Sequence, residues 1–424
     1  MLQMSIVFLL FRNIKQAASQ AGSPSQFKSN SPNKPSFGVS GGGIKGSPEA
    51  VEAAKRAILK GYYVPDDLEI VLKEPNPTHF CSPYDPKKIT IRETKILGQG
   101  GFGKVSLANI SKMGSQTLRG GTFALKRTHF TVANAKLMLK ELNFLRLFGA
   151  VKLERRRVMA LIDCFYQDMP QGAVDLLIVM ELMDSDMEKQ MKKNFLDPRN
   201  RFNDFPHKIT ALYNATTALN QVHSQNIIHR DVKLDNFFLK GFSPVVGDLG
   251  LADFDEPSNE SIKQSLSSRC GTPLYMAPEV GTTVATKKSD VYSLCITFIA
   301  YLTNRLPNQF IDYDEKTYKG PVYLSFVKQV YPQFIGLLQK MCAENPEDRP
   351  TLEEVAGELM NIGRGKGTFA ASNVEDVPSH VMTKFNERRQ KMKMELTLKE
   401  NKAVYGLIQN QQQANAFRRY NILI

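Results

Sequence analysis

Several short clusters in the 424-residue sequence combine glycines, ammonium groups and carboxylates in ways suited to handling phosphate. Gly98-Gln99-Gly100-Gly101-Phe102-Gly103-Lys104-Val105 lies between two runs of strand-forming residues. Glycines in a hairpin let the backbone approach a phosphate and aim its N–H groups at it, although a plain tight turn uses the same residues. A dinucleotide-binding turn would lead into a helix, whereas a strand pattern follows here. Phe123-Ala124-Leu125-Lys126 sets an ammonium in an apolar strand, facing either water or an acidic partner. Glu141, fifteen residues further on in a helical pattern, is such a partner. A pair bridging strand and helix would hold the ammonium against phosphate oxygens.

Further along, His229-Arg230-Asp231-Val232-Lys233-Leu234-Asp235-Asn236 places ionisable groups inside an apolar context, which is costly unless they pair. Asp248-Leu249-Gly250 follows the apolar run 244–246. Gly271-Thr272-Pro273-Leu274-Tyr275-Met276-Ala277-Pro278-Glu279, then Asp290 opening an apolar helix, and Asn345-Pro346-Glu347-Asp348-Arg349-Pro350-Thr351 complete the set.

The elements that must position these groups are visible in the pattern of apolar residues. Short β-branched runs at 89–97, 104–110 and 122–127 predict strands. A helix is predicted over 133–147, with Met138, Leu142 and Leu145 on one face. Strands at 158–165 and 174–181 follow, and beyond Phe205 helical periods dominate, with Ile209, Leu212, Thr216 and Leu219 sharing a face. Strands first and helices after imply a small sheet-rich lobe and a larger helical one, with a ligand cleft between them.

Composition excludes other classes. Hydrophobic residues make up 42% and charged residues 23%, as in a globular protein. No apolar run reaches the ~18–20 residues of a membrane helix, so no transmembrane segment is expected. The run 5–11 is apolar but lacks the basic start and the small-residue site of a secretory signal. Five scattered cysteines with no C-x-x-C argue against a disulfide scaffold or a zinc site. The net charge of +13 divides into +4 for residues 1–90, +6 for 361–424 and only +3 for the middle. The near-balanced middle disfavours direct nucleic-acid binding, which needs concentrated positive charge.

In this order and spacing the seven motifs resemble the eukaryotic protein kinase family, serine/threonine class, from about Ile89 to Ile362. The resemblance implies an α+β fold, bilobal, with a small β-rich N-lobe and a larger α-helical C-lobe. It implies ATP and Mg²⁺ as cofactors. The loop Gly98–Gly103 would cover the ATP phosphates. Leu97, Val105, Ala124 and Phe238 would line the adenine, with Met180 at the back of its pocket and Glu181 to Met183 as the hinge. Asp186 would contact the ribose. Lys126, oriented by Glu141, would hold the α- and β-phosphates, and Asp248 and Asn236 would hold the metal. Asp231 would accept the substrate hydroxyl proton, with Lys233 and Thr272 beside it. Glu279 would pair with Arg349, and Asp290 would cap the catalytic loop.

Departures from the family pattern are confined to packing positions: Leu249 for Phe, Tyr292 for Trp and Cys295 for Gly. The hinge looks like that of mitogen-activated kinases, while 271–279 looks like the kinases upstream of them, so the group stays open. A catalytically silent scaffold, a small-molecule kinase and a nucleic-acid binder are the alternatives. Intact Lys126, Asp231, Asn236 and Asp248 oppose the first of these, the segment 271–279 opposes the second, and the charge distribution opposes the third. Arg230 beside Asp231 implies control by a phosphate on the activation segment, with Ser268 at the matching position and an upstream kinase as partner. The other partners expected are protein substrates with Ser/Thr acceptors, in a cytoplasmic or nuclear location within intracellular signalling. No oligomeric state follows.

The division is therefore 1–88 as an extension (disordered over 19–48, helical near 49–60, with a proline-rich linker at 75–86), 89–362 as the kinase domain, and 363–424 as a basic, partly helical tail. In that tail Phe385, Met392 and Leu396 share a helical face that could bind calmodulin or an anionic membrane, but period-two spacing at Met392, Met394, Leu396 and Leu398 spoils it and favours a solvated or self-docking helix. The segment 409–415 is Gln/Asn-rich and reads as disordered.

Overall fold

The computed structural model describes residues 81–369, except 101–102, 113–120, 150–155, 171–172, 197–203, 256–262, 264–269 and 312–321, together with Thr383. The expectations for 1–80, for Ser268 and for the basic tail beyond 369 lie outside the described residues.

The first half is a six-stranded sheet. Its strands are β1 (Ser82–Pro83), β2 (Ile89–Gly100), β3 (Gly103–Lys112), β4 (Gly121–Phe130), β5 (Leu161–Asp168) and β6 (Val174–Met180), in the order β1-β5-β6-β4-β3-β2. All pairs are antiparallel except β1, which lies parallel to β5. The sheet thus begins at Ser82, inside the segment read as a linker, and Tyr84 N–H adds a bond to the Tyr166 carbonyl (2.8 Å). Pro83 within this strand suits an edge, where a missing N–H leaves no gap in a ladder.

Helix α1 (Val132–Gly149) crosses this sheet on one face. It buries Met138, Leu142, Leu145 and Phe148 against Ile178 and Met180, the face expected from the spacing. The other face of the sheet holds a smaller cluster of Ile89, Ile110, Leu125, Phe165, Leu177 and Val179.

The second half is helical. Between β7 (Ser185–Asp186) and β9 (Phe237–Lys240) run α2 (Met187–Leu196), α3 (Phe205–His223) and the two-residue strand β8 (Ile227–Ile228). Strands β10 (Ser243–Val246) and β11 (Asp253–Phe254) follow, then α4 (Lys287–Thr303), α5 (Ser325–Val330), α6 (Ile335–Met341) and α7 (Leu352–Gly363). Strands β7, β9 and β10 form one small antiparallel sheet, and β8 pairs with β11 in another.

Helix α4 is buried from Ser289 to Leu302, apart from the half-buried Tyr292, and forms the centre of this half. Each large apolar side chain sealed there contributes roughly 1.5–3 kcal/mol. The helix starts on a capping box, Thr286 with Ser289. Its carbonyl end meets the buried Lys208 of α3, whose ammonium donates to Tyr301 O (2.5 Å), Leu302 O (3.0 Å) and Asn304 Oδ1 (3.0 Å). Burial pushes this ammonium down to about 7, while three acceptors at a helix C-terminus favour the charged form. Among the described residues, no helix is long and apolar enough to cross a membrane.

Candidate active site

The ammonium of Lys126 sits in the middle of β4. Glu141 of α1 accepts from it through both oxygens, at 2.6 and 2.8 Å. Asp248 Oδ1 lies 4.0 Å from the same nitrogen. Burial alone would lower the Lys126 pKa, but the two carboxylates outweigh it and raise the pKa, so Lys126 is a permanent cation aimed into the cleft. Cross-strand pairing sets Val105 opposite Lys126 and Ala124 opposite Met180. These are three of the residues expected around the adenine.

The turn between β2 and β3 closes on the pair Gly100–Gly103. Gly101 and Phe102 lie outside the described residues, and Gly98, Gln99 and Leu97 are exposed on β2. Gly103 has φ +122°, and a Cβ there would lie 2.4 Å from the Arg127 carbonyl, so this turn needs glycine.

Asp231 follows β8 through His229 and Arg230. Its Oδ1 accepts from the Thr272 N–H (2.9 Å) and hydroxyl (2.8 Å). Its Oδ2 faces Lys233 Nζ and Asn236 Nδ2, each at 3.0 Å. Burial opposes the charge, but Lys233 and Thr272 prevail and hold the carboxyl below the usual range. Lys233 Nζ also donates to Thr272 Oγ1 (3.1 Å), and its own pKa is raised against burial by Asp231 and Asp235. Two segments of chain thus bring together Asp231, Lys233 and Thr272, which the resemblance grouped here, with Asn236, which it assigned to the metal. The segments meet so closely that a Cβ on Gly271 (φ +110°) would lie 2.5 Å from the Arg230 carbonyl.

The backbone beneath Asp231 is held by one acid. Asp290, at the start of α4, accepts from His229 N–H (2.7 Å) and Arg230 N–H (2.9 Å), and His223 Nε2 lies 2.8 Å away. Burial would raise its pKa, yet His223 and His229 hold it low. These bonds sustain a left-handed Arg230 (φ 66°), a conformation that costs on the order of 1–3 kcal/mol in a non-glycine residue. Asp248 is left-handed too (φ 58°) and opens a single 3₁₀ turn, Leu249–Leu251, with Leu249 fully buried in the core. The exchange of Phe for Leu is therefore accommodated by packing.

Asn236 commits its amide nitrogen to the Asp231 carbonyl (2.8 Å) and carboxylate, which leaves its oxygen end for a cation. The Asp248 carboxylate is 37% exposed. One carboxylate and one amide oxygen suit Mg²⁺, which takes few protein ligands and completes its shell with phosphate and water.

At the hinge, Glu181 pairs with Arg156 (3.5 Å) and Lys240, and Met183 is half-buried. Phe238 of β9 pairs in register with Asp186 and lies against Gly247. The Asp186 carboxylate is turned to α2, accepting from Lys189 N–H (2.8 Å) and pairing with Lys189 Nζ (2.8 Å). That role was readable from the Asp-x-x-Lys spacing at a helix start. Glu279 takes both ends of the Arg349 guanidinium, at 2.7 and 2.9 Å, and that guanidinium sits 5.1 Å over the Tyr292 ring. The sequence reading missed Lys140 and Asp253, a buried pair at 2.8 Å. Their separation along the chain matches no local pattern.

The protein kinase domain family model matches residues 91–359. The serine/threonine-protein kinase ppk16 of Schizosaccharomyces pombe is 27% identical over 289 residues, 65% of this chain and 38% of that protein. The serine/threonine-protein kinase PLK1 of Xenopus tropicalis is 34% identical over 143 residues, 32% of this chain and 22% of that protein. The mouse serine/threonine-protein kinase PLK2 is 32% identical over 143 residues, 33% of this chain and 20% of that protein. The chain spans between about a fifth and just over half of the length of the curated relatives it matches. With the motifs, the bilobal fold and the family match in agreement, this chain belongs to the protein kinase family.

Proposed function

We propose that the protein transfers the γ-phosphate of ATP to Ser or Thr hydroxyls of protein substrates. The observation that carries this reading is the group around Asp231, where Lys233 and Thr272 both contact its carboxylate. A carboxylate held ionised by two donors is a weak base but a strong orienting acceptor. It would take the hydrogen bond of an incoming hydroxyl and keep it aligned with the phosphate. Lys233 would then face charge developing on the transferred group. Lys126 would hold the non-transferred phosphates, with its own position set by Glu141. Asp248 and Asn236 would hold Mg²⁺, which when bound neutralises phosphate charge.

The serine/threonine-kinase names of the relatives support this acceptor class. Intracellular signalling, in the cytoplasm or nucleus, is the corresponding reading of place, and phosphorylation of Ser268 would raise an activity already present without it. The test is transfer from labelled ATP with Mg²⁺ to a mixed Ser/Thr peptide library, beside Asp231→Asn. Transfer to Ser or Thr that the variant abolishes is expected. Nucleotide binding without transfer, even after incubation with an activating kinase, would favour a silent scaffold instead.

A further inference from the structure

Two neighbouring residues of α1 reach in different directions. Glu141 binds Lys126 of the sheet. Lys140, one residue earlier and so ~100° around the helix, reaches the helical half, where its ammonium lies 2.8 Å from Asp253 Oδ2. The Arg230 guanidinium approaches the same oxygen at 3.7 Å. All three side chains are sealed, at 5–6% exposure.

Asp253 is itself placed by backbone. It stands in β11, paired with Ile228 of β8, and Ile228 is joined directly to His229 and the catalytic loop. Its Oδ1 accepts from the Phe254 N–H (3.0 Å), and its Oδ2 is the atom nearest the two cations. Phe254 then meets Phe144 of α1 edge to face, ring centroids 5.3 Å apart. The strand that leaves the Asp248 tripeptide therefore docks on α1 through an ion pair and an aromatic contact together.

An anion is needed at this point. Arg230 and Lys140 come from different halves of the molecule and converge in a space closed to water. Unpaired, they would repel each other and bear the full cost of desolvation. The sequence reading assigned the neutralising charge to a phosphate on the activation segment. The structure supplies a carboxylate from within the chain. We propose that Asp253 is a built-in anion and positioning residue: it ties α1 to the catalytic loop and so holds the Lys126–Glu141 pair in register with Asp231 without a phosphate on the activation segment. The kinetic half of this inference rests on the proposed phosphate transfer, and the structural half does not.

The experiment compares phosphatase-treated full-length wild type with Asp253→Asn and Asp253→Glu. Transfer kinetics and amide hydrogen exchange over 132–149 and 227–231 are followed. Treated wild type is expected to remain active. Asp253→Asn is expected to lower kcat by about tenfold or more while KM for ATP moves by less than about twofold, and to speed exchange in both segments. Asp253→Glu is expected to recover most of kcat, which a general loss of stability would not predict. If Asp253→Asn fails to fold, Lys140→Met replaces it, with lower kcat and faster exchange at 132–149 alone. Treated wild type that is inactive until Ser268 is phosphorylated would overturn the inference, as would an Asp253→Asn variant with unchanged kcat and exchange. If wild type transfers no phosphate in any state, the proposed function fails, and the exchange comparison alone then decides this inference.

Discussion

The cation cluster around Lys126 and the acid cluster around Asp231 are built by opposite strategies. Lys126 is held by one side chain, Glu141, on a helix that belongs to the sheet-bearing half. Its link to the other half is a single 4.0 Å approach to Asp248. Asp231 has both oxygens occupied, and its backbone rests on a loop that Asp290 fixes through two N–H bonds. The cation side is thus adjustable only as far as α1 and its Lys140–Asp253 tie allow, and the acceptor side is fixed within the helical half. Where Arg230 is left-handed, the bond that holds its N–H comes from Asp290 in the helical half.

The largest expected effect tests the fixed side. Asp231→Asn should cut kcat by about 10³-fold, since a positioned proton acceptor is worth 10²–10⁴. Nucleotide affinity, followed by calorimetry, should barely change, and a large loss of affinity would mean the two clusters are not separable. Next in size is a break in the frame beneath. Glu279→Gln leaves the fully buried Arg349 without its anion and should cost about 3 kcal/mol of stability in denaturant titrations. Burial would raise the Glu279 carboxyl, but Arg349 and Ser289 hold it below its ordinary 4.5. A carboxylate with a lowered folded pKa contributes stability above the unfolded value and loses it as pH falls through the folded one. The gap in stability between wild type and Glu279→Gln should therefore be full at neutral pH and shrink on acidification below about 4.5.

On the adjustable side, Lys126→Met should lower kcat/KM by about 10²-fold and weaken nucleotide binding as well, unlike Asp231→Asn. Smallest of all, Thr272→Ala removes one hydroxyl from Asp231 while its N–H bond stays. A fall in kcat of about tenfold, with no change in nucleotide affinity, is expected.

The contrast also shows what the sequence could display. Asp231, Asn236 and Asp248 were legible through the resemblance of their motifs to the kinase family, whereas the apolar periods placed only the strand of Lys126 and the helix of Glu141. Helix α1 and the sheet apart from β1 followed from the same periods with ends displaced by up to three residues, and α3 followed from its apolar face. Asp253 was not legible as a partner of Lys140, because 113 residues and a change of lobe separate them. Nothing local marks Lys208 as the residue that meets the end of α4, 93 residues away. Ser82–Pro83 read as linker because proline argues against a strand, yet an edge position tolerates it. Long-range pairing of buried charge follows topology, and spacing does not encode it.

The two-residue ribbon of β8 and β11 has a mechanical consequence. One of its strands runs straight into Asp231, and the other leaves the tripeptide of Asp248. Both acids thus hang from the same short ladder within the helical half. Under the proposed transfer, opening to release nucleotide would carry the lysine and the glycine turn with the sheet, against the Lys140–Asp253 tie, while the ladder would keep the two acids at one spacing. Exchange of nucleotide would then leave the seat for the incoming hydroxyl intact, so the proposed reaction would start each time from an acceptor geometry already set.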